Sequence, residues 1–380
     1  MSLFVCILLF VGESCLAREY RSVAALLAFT KQAYVEYKPL GVIGIIVPWN
    51  YPFQNVLSAV VAALMAGNGA VVKVSEYASF SAERIEQVFR EILARRGHNP
   101  DLVQVVTGFA ETGSALVSSG VDKILFIGSP AVGKLVMRAA SATLTPVILE
   151  LGGKDPFIVF DDAEFEQCVD VAIRGAFINC GQVRLYTRKN TMAASMKGCI
   201  CFFLLPTLTF LSSLVSLSFQ NCIAAERFYV QEGIYNKFVA EVTKRVKSLS
   251  QGATNCSADS PRCDFGAITM PAQADIFQAL INDAVEKGAK IETGGSKYVG
   301  DHTKKGLYFA PTILTGVTHK MKIANEEAFG PVMSIIKFKT EEEVVRIKEY
   351  MNTERGCILM DQSKSVSCIL AFHSSLIPFF

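Results

Sequence analysis

Apolar and polar positions follow two periods along the first half of the chain. Short apolar runs at 44–47, 70–74, 102–106, 124–127 and 147–150 are too brief for helices and are bounded by proline, serine or glycine, so each predicts a buried strand. Between the second and third runs, Ile85, Val88, Phe89, Ile92 and Leu93 share one helical face, and Gly97 supplies a stop. Strands alternating with helices predict an open parallel α/β sheet covered on both faces. Such a sheet takes its ligand beyond the carboxyl ends of its strands. Further on, helical spacing returns at 163–177, at 233–249 through Ile234, Phe238, Val242 and Val246, and at 276–286.

The segments that leave those strand ends carry the candidate chemistry, and each also has a structural reading. Glu150 closes an apolar run just before Gly152-Gly153, where the backbone must turn tightly or lie against something else; it is either a general base delivered to a cleft or a rim acid facing water. Asn50, in Pro48-Trp49-Asn50-Tyr51-Pro52, is either a turn residue bonding its own backbone or a donor to a developing anion. Lys73, followed by Ser75 and Glu76, is either a rim charge or a ligand for the ribose or phosphate of a dinucleotide. The run from Phe126 through Gly128, Ser129 and Pro130 to Gly133 reads as strand, turn and helix opening; free N–H groups at a helix start suit a pyrophosphate, although the glycines do not make GxGxxG. In isolation, Glu327 is a surface acid and Phe329 a core aromatic.

Composition narrows the classes. A chain of 380 residues that is 51% hydrophobic can bury a large core, and two domains are expected. With 37 basic and 35 acidic residues there is no electrostatic case for nucleic acid. The 11 cysteines include no CxxC pair and the 4 histidines are isolated, so neither a metal site nor a disulfide scaffold is expected. Apolar runs at 1–11, which lacks a preceding basic residue, and at 199–219, of transmembrane length but containing Pro206, raise membrane association as an expectation. They leave location between the cytoplasm and a membrane or secretory pathway.

Taken in order, these segments resemble the NAD(P)-dependent aldehyde dehydrogenases. Leu149-Glu150-Leu151-Gly152-Gly153-Lys154 is similar to the signature around that family's general base. Pro48-Trp49-Asn50, Lys73-Val74-Ser75-Glu76, Gly128-Ser129 with Gly133, Asn221-Cys222 and Glu326-Glu327-Ala328-Phe329-Gly330-Pro331 match further motifs in the family's order. Val74 stands where most members have proline, a change of loop stiffness. The resemblance implies a Rossmann-type cofactor domain plus a second α/β catalytic domain, incomplete here, and oxidation of a small-molecule aldehyde to a carboxylic acid. Cys222 would attack as a thiolate, Asn50 and the Cys222 N–H would hold the oxyanion, and Glu150 would activate water. Pro48, Trp49, Lys73, Ser75, Glu76, Gly128, Ser129, Gly133, Leu151, Glu327 and Phe329 would bind the cofactor. Glu76 would meet the adenosine ribose and disfavour a 2′-phosphate, which points to NAD with NADP left open. Homo-oligomers are typical of the family.

The resemblance also locates a break. The family's nucleophile follows Gly-Gln almost at once, whereas Gly181-Gln182 here leads to Val183-Arg184, and Cys222 lies 72 positions after Glu150. Removing the 38 residues 183–220 would restore the family's spacing of 34. That segment begins and ends with residues whose codons can carry intron boundaries, so a retained intron or gene-model error is expected, against a genuine insertion, with poor packing over 183–220. Cys180, before Gly-Gln, is assigned a structural role. The expected organisation is an atypical segment 1–35, a nucleotide-binding domain 36–151, a catalytic domain 152–348 interrupted by 183–220, and an aberrant tail 349–380, with flanking family sections missing. A second function follows from that truncation: an inactive isoform serving as a nucleotide-binding or interaction protein.

Overall fold

The computed structural model describes residues 19–21, 31–177, 224–252, 264, 266–297, 307–350, 357–360 and 368–369. Cys180, Cys222, segment 183–220 and the apolar runs 1–11 and 199–219 lie outside them. The chain divides into two compact units at the junction of Leu151 and Gly152.

In the first unit, β1 (Glu19–Arg21) and β2 (Ala33–Val35) form a short antiparallel ribbon. There follow β3 (Val42–Val47), α1 (Pro52–Met65), β4 (Gly69–Val74), α2 (Ser79–Arg95), β5 (Val103–Val106), α3 (Ala110–Ser118), β6 (Lys123–Gly128), α4 (Pro130–Ala140) and β7 (Val147–Leu151). All five expected strands form, within two residues of their expected ends. They pair in parallel in the order β5-β4-β3-β6-β7. Side chains alternate across β3. Ile43, Ile45 and Val47 enter a core with Val56, Val60, Ile85 and Phe89 of α1 and α2, while Ile46 enters another with Leu116, Val117 and Val136 of α3 and α4. Both faces are therefore covered, which is why these strands read as unbroken apolar runs. Gly97, at φ 76°, adopts the left-handed conformation just beyond α2.

The second unit contains β8 (Asp155–Val159), α5 (Phe165–Phe177), β9 (Ala225–Gln231), α6 (Glu232–Lys247), α7 (Pro271–Glu286), β10 (Lys290–Thr293), β11 (Thr312–Thr315), β12 (Val332–Phe338), α8 (Glu341–Tyr350), β13 (Cys357–Met360) and β14 (Cys368–Ile369). Its sheet runs β10-β11-β12-β9-β8-β13-β14, parallel at the centre and antiparallel at the two edge pairs. Phe157, Phe228, Ile335 and Phe338 from the central strands pack with Ile173 of α5, Phe238 of α6 and Phe277 of α7 in one apolar core.

The expectation of membrane association, and with it a membrane or secretory-pathway location, is corrected. Among the described residues no helix is long and apolar enough to cross a membrane. The longest, α2 at 17 residues, falls short of the ~20 apolar residues a span requires and exposes Glu83 and Arg84 opposite its buried face.

Phe228 lies fully buried on a central strand of the second sheet. Phe228→Ala removes a ring whose neighbours cannot all close in, and should cost roughly 3–5 kcal/mol. The shift in the urea midpoint of that unit checks the loss.

Candidate functional site

The order of the first sheet reverses between β3 and β6, since β4 and β5 extend one way from β3 and β6 and β7 the other. Connections leaving these two strands diverge, and the carboxyl edge there is where an open α/β sheet receives a ligand. Asn50, Lys73, Ser75, Glu76, Gly128, Ser129 and Glu150 all fall on that edge. Asn50 is 6% exposed, in the turn between β3 and the proline that opens α1, with Pro48 and Trp49 half-buried before it. Its carboxamide is therefore held inside the fold rather than in water.

Lys73 lies beside Ile46 in the sheet and is 7% exposed, with Nζ 3.8 Å from a Glu76 carboxylate oxygen. Ser75 accepts from the Tyr77 N–H at 3.3 Å and donates to Glu76 at 3.2 Å, so one serine caps the short turn and steadies the acid. At the end of β6, Ser129 accepts from the Val132 N–H at 3.4 Å and Pro130 starts α4. Gly133 makes the approach of this helix feasible, because a Cβ there would lie 2.7 Å from Leu151 Cδ2. Glu150 is half-buried beside Ile127, and Leu151 lies beside Gly128.

Glu327 and Phe329 occupy the second unit. Gly153 N–H donates to Glu327 Oε1 at 3.3 Å, and a Cβ on Gly152 would fall 1.8 Å from Glu327 Oε2. The double glycine thus lets a carboxylate lie against the backbone. Burial first, and then the charge of Glu226, push the Glu327 carboxyl up to about 7, against the opposing pull of the Gly153 N–H and Lys154. Phe329 is half-buried at φ 53°, an uncommon conformation for an aromatic residue rather than a plain core position. Sequence reasoning assigned no role to Lys154 or Glu226, which form a buried ion pair at 2.5 Å beneath this turn. Two adjacent charges, Glu226 and Arg227, inside the apolar strand β9 were the available signal, because fully buried charges demand partners.

The fold is that of a doubly wound parallel sheet and a second α/β unit. A model of the aldehyde dehydrogenase family matches residues 8–197 and 209–356. The chain belongs to that family. The match extends beyond the motif-bearing stretch on both sides, and its gap, 198–208, falls inside segment 183–220. An aldehyde dehydrogenase-like protein of Schizosaccharomyces pombe is 35% identical over 343 residues, 90% of this chain and 58% of its own length. Aldehyde dehydrogenase 1A1 of Equus caballus is 33% identical over 348 residues, 90% of this chain and 59% of its own. Betaine aldehyde dehydrogenase from Staphylococcus aureus, solved in complex with NAD+, superposes with TM-score 0.74 at 26% identity, covering 91% of this chain and 59% of that one. The chain thus spans under two thirds of the length of these relatives.

Glu327 yields a pH test. Its folded carboxyl binds its proton more tightly than an ordinary one at 4.5, so the folded state holds the extra proton between the two values. Stability is fully present below about 4.5 and falls as pH rises through about 7. The decline should reach about 3 kcal/mol, and Glu327→Gln should flatten it. Urea unfolding of both proteins from pH 5 to 8 measures the difference.

Proposed function

We propose that this chain carries the machinery for NAD-dependent oxidation of an aldehyde to a carboxylic acid. The observation that supports it best is the gathering of Asn50, Lys73, Glu76, Ser129 and Glu150 on one carboxyl edge of a parallel sheet, at its order reversal, in a member of this family.

The residues at that edge fit a dinucleotide. A serine-capped helix start, brought close to the sheet because Gly128 and Gly133 leave room for Phe126 and Leu151, suits a pyrophosphate; Lys73 and Glu76 suit the adenosine ribose. The acid at Glu76 disfavours a ribose 2′-phosphate and so favours NAD. Glu327 and Phe329 are assigned to the nicotinamide end. When bound, the cofactor supplies the hydride acceptor.

The chain's own residues supply the rest. The Cys222 thiolate adds to the aldehyde carbonyl, and the oxyanion receives hydrogen bonds from the Asn50 amide and the Cys222 N–H. A neutral amide donates without adding a cation that would quench the thiolate. After oxidation the acyl group stands on Cys222 as a thioester. Glu150 takes a proton from water as its oxygen attacks that carbonyl, and the C–S bond breaks to release the acid and the thiolate.

A second reading is favoured by the 38 residues at 183–220, immediately after Gln182 and within which the family match breaks. In that reading the full chain binds NAD without turnover. Displacement of a nucleophile by ~1 Å costs on the order of 100-fold, and these residues intervene directly before it.

NADH formation from NAD+ and a panel of aldehydes tests both, using the full chain and one lacking 183–220. Turnover is expected in the shortened chain, and its absence there rejects the oxidation. In the active form, Cys222→Ala should abolish turnover, Asn50→Ala should lower it roughly 100- to 1,000-fold, and Cys180→Ala should leave it within about twofold of the parent, the ordinary range for a residue outside the chemistry.

A further inference from the structure

The turn carrying Glu327 and Phe329 is held by a charge pair that none of the steps above uses. Glu226, 3% exposed on β9, accepts from the Ala328 N–H on Oε2 at 2.8 Å and from the Phe329 N–H on Oε1 at 2.9 Å. Lys154 Nζ lies 2.5 Å from Oε2 and is itself 6% exposed. Both carboxylate oxygens are thus occupied by successive amides of one turn, and the Lys154 ammonium shares Oε2 with the Ala328 N–H. On the other flank, Gln273 Nε2 donates to the Ala328 carbonyl at 2.8 Å.

Phe329 needs such a restraint. A non-glycine residue at positive φ is strained and persists only where its surroundings determine it. Two charge-assisted hydrogen bonds, on adjacent amides, oppose that strain. Packing alone would not aim the turn, because apolar contact is non-directional while a carboxylate between two N–H groups fixes both position and rotation.

We propose that Glu226, oriented by Lys154, is a positioning residue: it sets the 327–329 turn so that the Glu327 carboxylate and the Phe329 ring are presented to the nicotinamide end of the dinucleotide. The role rests on the assignment of Glu327 and Phe329 to the cofactor made above. It adds a residue of β9 to the apparatus that orients the cofactor. Glu226→Gln keeps the side chain's size but puts an NH2 where an acceptor was, so at least one of the two backbone N–H groups loses its partner.

Amide hydrogen exchange on the full chain, without cofactor, tests the restraint. In E226Q the Ala328 and Phe329 amides should exchange about tenfold faster, as expected for loss of one charge-assisted bond, while β12 keeps its protection. Exchange at the wild-type rate at both amides overturns the proposal. Where β12 also loses protection, E226D, which retains the charge facing Lys154 but shortens its reach, is judged by the same two outcomes.

NADH titration followed through Trp49, the 1 tryptophan of the chain, separates this role from the cofactor reading. Affinity should fall about tenfold in E226Q, the same single bond's worth, and should also fall in Glu327→Gln. Faster exchange with unchanged affinity in E226Q, beside a weakened Glu327→Gln, overturns the positioning role and leaves the cofactor reading intact. Unchanged affinity in Glu327→Gln overturns the cofactor assignment of Glu327, and with it the purpose proposed for the restraint.

Discussion

The parallel pairing of β3 with β6 is the constraint on which the first unit depends. Ile43, Ile45 and Ile124 are fully buried on these strands, so neither strand can shift register without moving apolar side chains out of both covering cores. Gly44 tightens the constraint: a Cβ there would fall 2.6 Å from Ile124 Cδ1, so the absence of a side chain on one strand makes room for the branch on the next. With that pair fixed, the carboxyl edge is fixed too. Asn50 follows β3 by three residues, and Ser129 follows β6 directly. Val74, where most of the family has proline, is itself the buried last residue of β4, paired beside Val47, so it belongs to the strand end rather than to the loop that follows.

The second unit reaches comparable order by a different means. Its sheet is also parallel and buried at the centre, but the turn carrying Glu327 and Phe329 lies outside any strand and lacks ladder hydrogen bonds. Glu226 provides a substitute. Projecting from β9, it offers two acceptors to a chain segment 102 and 103 positions away, so a strand's rigidity is passed to a turn through one carboxylate. The glycines at 152 and 153 complete the arrangement, because any side chain at Gly152 would occupy the space taken by the Glu327 carboxylate.

What the sequence made legible follows from this difference. Strands buried on both faces announce themselves as apolar runs, so the five strands in 42–151 could be read to within two residues, whereas of the helices only the stripe from Ile85 to Leu93 and the opening at Pro130 were read. The strand order could not, because pairing between β3 and β6 spans some 80 positions and no local signal encodes it. Asn50 illustrates the limit for the site: its type and turn context left two readings open, and only burial between β3 and α1 separates it from a surface turn residue. Lys154 and Glu226 were visible as residues yet not as a pair, since they are 72 positions apart and complementarity between two charges says nothing about distance. The left-handed backbone at Phe329 was not legible at all, because positive φ has a sequence signature only when the residue is glycine or asparagine.

The balance of charge around the turn explains why an ion pair is kept there at all. A buried pair is weak evidence for stability, since desolvation of both ions offsets most of their attraction and apolar residues of similar shape often serve as well. Here Lys154 faces Glu226, while Asp155 and Glu327 add further acidic groups acting on the same region. Lys154 lies on Glu226, so its charge pulls only secondarily on Glu327. Glu226 takes the lysine and two amide donors, and Glu327, left with the Gly153 N–H, is the group whose proton is held more tightly. An apolar replacement of the pair would relieve desolvation but would release two amides and remove the direction they impose. The pair is therefore better understood as specifying one conformation of the turn than as stabilising the fold, and the raised carboxyl of Glu327 is the electrostatic consequence of that specification.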